Sequence, residues 1–130
     1  MNTLSRMASG IVCCIALAAV PQAQANICPR ADGPEKIKIK IKLRETRAPE
    51  SVDQPEVRAC PGDTIEWLIP GNPEQSFSIV FVEESPFDWK KTNGAKIKGT
   101  VREDAPREQP LKYDVETDAG ILDPVIIIEN

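Results

Sequence analysis

Histidine is absent from all 130 residues, and the only two methionines, Met1 and Met7, stand at the very start. Without imidazole there is no Ser-His-Asp or Cys-His nucleophile system and no zinc site of the usual kind. No glycine-rich, phosphate-cradling loop is present either. Long apolar runs are also missing. The longest, Ile11 to Val20, falls well short of the roughly 20 residues that a membrane-spanning helix needs. Glu83, Glu84 and Asp88 offer carboxylates for glycoside chemistry, but one small domain leaves little room for a cleft. These absences together point away from an enzyme.

What is present at the start reads as a secretory signal over residues 1–25. It has one positive charge at Arg6, the apolar stretch Ile11 to Val20, and the small-x-small close Ala23-Gln24-Ala25. Cys13 and Cys14 raise the rival reading of a lipoprotein signal. That reading is set aside because Val12 stands where such signals carry a small residue. Residues 26–130 are then expected as one soluble, monomeric, periplasmic or secreted domain with no membrane span. Arg6 is the only charged residue in the signal, so this domain holds 15 basic and 20 acidic side chains, a net charge of −5. Such a balance argues against a nucleic-acid binder, which needs a basic face.

Two cysteines remain, Cys28 and Cys60. In an oxidising compartment they are read as a structural disulfide, worth roughly 3 to 4 kcal/mol for a loop of that length. A redox-active pair would call for the closer C-x-x-C spacing.

The strand pattern is strongest from Lys36 onward. Ile37, Ile39, Ile41 and Leu43 alternate with Lys36, Lys38, Lys40, Lys42 and Arg44, the period-two signature of a half-buried strand. Arg47 to Pro55 reads as a polar loop, and Glu56 to Ala59 as a short strand. Thr64 to Ile69 and Phe77 to Val82 read as further strands, with Ile65, Trp67 and Ile69 on one face and Phe77, Ile79 and Phe81 on another. Ser85 to Thr92 reads as irregular or a short helical turn, and Asn93-Gly94 as a tight turn. Lys96 to Arg102, Leu111 to Glu116 and Val125 to Glu129 complete the set. The pattern predicts an all-β, seven- to eight-stranded sandwich. An α+β domain would require a helix, for which only Glu84 to Lys91 offers room.

The segment Cys60-Pro61-Gly62-Asp63-Thr64-Ile65-Glu66-Trp67 resembles the Pro/Ala-Gly-Asp-Thr-Val-x-Trp stretch of cupredoxins. Phe77-Ser-Ile-Val-Phe81, Lys112 to Leu122 and Val125 to Glu129 follow in cupredoxin order, like the first ligand strand, the second ligand loop and the closing strand of that family. The resemblance implies a Greek-key β-sandwich. It also places the family's four copper-ligand positions near Phe77, Val115, Asp118 and Leu122. None of these is a ligand of the softness that blue copper requires. The family's electron-transfer activity is therefore not carried over, and no cofactor is expected.

Three further groups invite a functional reading. Asp114, Glu116 and Asp118 alternate and would form a row of carboxylates, either a calcium-type cluster or a solvated strand face. Phe87 and Trp89, with Phe77, form either a repaired core at the former metal end or an exposed docking patch for a partner. The lysine row contacts an anionic surface, guards a strand edge, or is partly paired by Glu66 from a neighbouring strand. The expected function is an exported, non-enzymatic binding or accessory module of the cell envelope, with an envelope protein or an anionic surface as partner. The rival is a metal-handling protein with copper or an oxygen-ligated cation.

Overall fold

The computed structural model describes residues 27–130; the expected signal segment lies outside the described residues. Ten strands follow in order: β1 (Lys36–Leu43), β2 (Pro49–Val52), β3 (Glu56–Ala59), β4 (Thr64–Leu68), β5 (Phe77–Phe81), β6 (Lys91–Gly94), β7 (Lys96–Thr100), β8 (Pro110–Thr117), β9 (Gly120–Leu122) and β10 (Val125–Ile128). They form two sheets. The smaller has the order β2-β1-β4-β7, and the larger β3-β10-β8-β5-β6, with β9 added to β8. β1 runs parallel to β4 and β10 parallel to β3, while the other pairs are antiparallel. No helix occurs among the described residues, which removes the α+β alternative. The all-β sandwich is correct, with more strands than expected.

The core lies between the sheets. Ile39, Ile41, Ile65 and Trp67 descend from the smaller sheet onto Ile79, Phe81, Tyr113, Val115, Ile126 and Ile128 of the larger one. Trp67 sits at the centre. Its indole N–H donates to the Tyr113 hydroxyl at 3.2 Å, and its ring meets those of Tyr113 and Phe87 edge-on, with centroids 5.5 and 5.8 Å away. Burial of the two polar tips is thus accompanied by a hydrogen bond across the sandwich. Burial also pushes the Tyr113 phenol far above its usual range, against the opposing effect of the Trp67 bond.

Two segments depart from the sequence reading. The stretch expected as a loop over Arg47 to Pro55 contains β2, which pairs Ile41 with Val52 and Leu43 with Pro49 across a bulge. A proline is tolerated there because β2 is an edge strand. Asn93 and Gly94, expected as a tight turn, are the end of β6 and pair with Ser78 and Phe77. Each of these edge strands has four residues. Alternation over so short a span is too brief to register, and both are held by a longer neighbour.

Candidate functional site

The four positions suggested by the cupredoxin order separate into two kinds. Phe77 on β5 is 2% exposed and Val115 on β8 is fully covered. Val115 stands opposite Ile79 on one side and Leu122 on the other, and Leu122 packs half-buried against the same core. Asp118 lies beyond the end of β8, in the turn before β9, and is exposed. A polar cleft of about 270 Å³ opens beside Phe77, bordered by Ser78, Asn93, Glu116 and Asp118.

Because β8 ends at Thr117, Asp118 does not continue the line of Asp114 and Glu116, and the expected row of three carboxylates is not formed. Among the described residues no group of three acidic or cysteine side chains is placed to hold a metal ion.

The docking patch proposed for Phe87 and Trp89 is also corrected. Phe87 is 2% exposed and stacks on the half-buried Trp89 with centroids 4.9 Å apart. Its ring lies so close to β7 that a Cβ at Gly99 would approach it to 2.6 Å. The Ser85 hydroxyl receives the Phe87 amide and donates to the Trp89 carbonyl. This small turn rotates the phenylalanine inward and leaves it no face for a partner.

The outer face of the smaller sheet concentrates positive charge. Strand register sets Lys38, Glu66 and Lys98 in one row, and Lys40, Leu68 and Lys96 in the next. Lys36 and Lys42 extend the field along β1. Six lysines thus share the face with Glu66 and with Glu50, which pairs with Lys42 at 3.8 Å. Glu66 is 2% exposed, although it points out of the sheet, because lysine stems lie over it. Lys36 and Lys96 approach its two oxygens at 3.6 Å each, and its Oε2 has no hydrogen-bond donor. Burial disfavours its charge. The fields of Lys36, Lys96, Lys98 and Lys38 outweigh that effect and hold the carboxyl below its ordinary value.

β1 lies between β2 and β4, but β2 pairs with it only over Ile41 to Leu43. Beside β1, where β2 has ended, the Asp53 carboxylate accepts from the Lys40 amide at 2.8 Å and the Gln54 amide donates to the Lys38 carbonyl at 2.6 Å. Asp53 and Gln54 thus close part of that stretch of backbone. The pairing of Glu66 with neighbouring lysines was legible in the alternation. Lys96 and Lys98 were missed, although the run Lys96-Ile97-Lys98 repeats the β1 pattern in miniature.

A second carboxylate, Asp63, belongs to a different arrangement at the end of the sandwich. The disulfide Cys28–Cys60 closes there, with the Cα atoms 5.6 Å apart. Gly62, at φ +92, turns the chain. Asp63 is fully covered and accepts from the Cys60 and Glu35 amides at 2.9 Å each. Arg30 adds a forked contact, at 3.0 Å from Nε and 2.9 Å from Nη2. Burial works against the Asp63 charge, but the Arg30 bonds and the two amides prevail and hold its carboxyl below the ordinary range.

No protein-family model and no curated protein matches the chain. Among solved structures it is similar to a pseudoazurin from Sinorhizobium, at 16% sequence identity over 74% of this chain and 75% of that chain, with a TM-score of 0.49. A likeness of that degree concerns the course of the backbone and assigns no ligand, partner or activity.

Proposed function

We propose that the chain is an exported, non-enzymatic binding or accessory module of the cell envelope, built on a cupredoxin-like sandwich without a blue-copper site. The reading is carried by the lysine face, a six-lysine field held in register by three strands. Proteins that steer anionic partners concentrate charge in this way. The donor chemistry at the former ligand positions supports the same reading. Phe77, Val115 and Leu122 have no metal-binding atoms in their side chains, and the carboxylate of Asp118 is a hard donor unlike the thiolate, imidazoles and thioether of blue copper. Both described cysteines are spent in the disulfide, a bond suited to an oxidising compartment.

Protein purified from the envelope fraction tests this. The expected result is a chain beginning at Asn26, without stoichiometric copper and without a blue absorption band. Stoichiometric copper accompanied by that band would overturn the reading.

A further inference from the structure

We propose that the lysine face docks the protein onto the headgroups of an anionic phospholipid bilayer, an inference that rests on the reading of the chain as a binding module. Four features of the face point to lipid headgroups rather than to an acidic protein.

Every basic side chain on its three strands is lysine. Of the six arginines in residues 26–130, four are held elsewhere in fixed contacts, Arg30 on Asp63, Arg58 on Glu129, Arg102 on the Ser85 carbonyl and Arg107 on the Glu103 carbonyl, and Arg44 and Arg47 lie in the turn after β1. Arginine suits a shaped, bidentate partner, whereas lysine is a mobile point charge. Headgroups that diffuse and have no fixed register call for the second kind.

The face also lacks an anchor. The exposed large apolar residues among those described are Ile27, Val82 and Ile121, none of them on the strands of this sheet. Protein interfaces are centred on aromatic and arginine residues and are depleted in lysine. Here the centre of the field is Glu66 with four lysines around it.

The distribution of charge is the third feature. The face carries six lysines, Glu66 and, against Lys42, Glu50, so the rest of residues 26–130 has a net charge of −9. An anionic bilayer repels such a molecule in most orientations and attracts it in one. The two sheets of a sandwich are about 10 Å apart, and the Debye length at physiological salt is about 8 Å. Acidic side chains on the opposite sheet therefore lie beyond effective reach of a surface that the lysines touch.

Fourth, three lysines are uncommitted. Lys38, Lys40 and Lys98 make no ion pair among the described residues, so docking breaks no internal contact at those positions.

The test uses the chain from Asn26, which contains the whole described core and lacks the apolar leader that would bind membranes by itself. Sedimentation with vesicles of mixed phosphatidylglycerol and phosphatidylcholine is compared with sedimentation with phosphatidylcholine alone. Binding is expected only to the anionic vesicles and is lost as salt is raised. Each lysine near an anionic surface is worth about fivefold in partitioning, from about 1 kcal/mol apiece. The triple variant Lys38→Gln, Lys40→Gln, Lys98→Gln should therefore bind roughly 100-fold more weakly, while Lys91→Gln with Lys112→Gln on the other sheet changes little. Acetylation footprinting of the unaltered protein gives a second readout. Vesicles should protect Lys38, Lys40 and Lys98 and leave Lys91 and Lys112 reactive.

Equal binding to neutral vesicles, or footprints unchanged by anionic ones, overturns the proposal. So does a copper-free protein that ignores vesicles but captures an acidic envelope protein through these lysines, an outcome that leaves the binding-module reading in place.

Discussion

Asp63 and Glu66 stand three residues apart, and both are almost wholly covered, yet their surroundings are opposites. Asp63 accepts from two backbone amides and a forked arginine, beside a disulfide. Every one of those partners is held by the fold. Glu66 has two lysine ammonium groups at 3.6 Å and an oxygen without a donor, beneath a single layer of flexible stems. A buried carboxylate that is fully hydrogen-bonded is a structural clasp. One that is neutralised only by mobile charges is part of a field, and the field remains available to other anions. The same chemical group thus serves architecture in one place and recognition in the other.

Changes at the clasp should be the most damaging. Replacing Cys28 and Cys60 with alanine is expected to cost roughly 3 to 4 kcal/mol in denaturant unfolding, the loop-closure value for a separation of 32 residues. Asp63→Asn should come next, at about 3 kcal/mol, because it leaves Arg30 and two amides without their common charge. That variant should also lose part of the acid dependence of stability. Both carboxyls ionise more readily in the folded chain than in the unfolded one. Their contribution is complete above the ordinary carboxylate pKa of about 4 and disappears as pH falls through the folded values. Melting temperature measured from pH 6 down to pH 2 should fall less steeply in Asp63→Asn.

Gly99→Ala is expected to cost about 1 to 3 kcal/mol, since its Cβ meets the Phe87 ring and the stack on Trp89 leaves that ring little room to retreat. Calorimetry would measure this. Glu66→Gln should have the smallest effect, under about 1 kcal/mol, because its ion pairs are long and its partners Lys36 and Lys96 are themselves exposed. A loss equal to that of Asp63→Asn would erase the distinction between clasp and field.

Much of this was legible beforehand. The β1 alternation fixed which of its side chains face the core, and Ile39 and Ile41 are indeed covered. The Cys28–Cys60 bridge and the Glu66 link to lysine were readable from compartment and pattern. The stacking of Phe87 against Gly99 was not, because it depends on how the Ser85 turn rotates the chain. Nor was the partnership of Arg30 with Asp63, which joins residues 33 positions apart.

By itself the sequence determined the chemical limits and the strand faces: a chain without histidine has no imidazole in any fold, and period-two alternation sends lysine and isoleucine to opposite sides wherever the strand is placed. Only the tertiary structure decided which strands lie side by side. Setting β1, β4 and β7 in register turned two separate lysine rows and one glutamate into a single charged face, because cross-strand neighbours come within reach only when non-local pairing brings them about 5 Å apart.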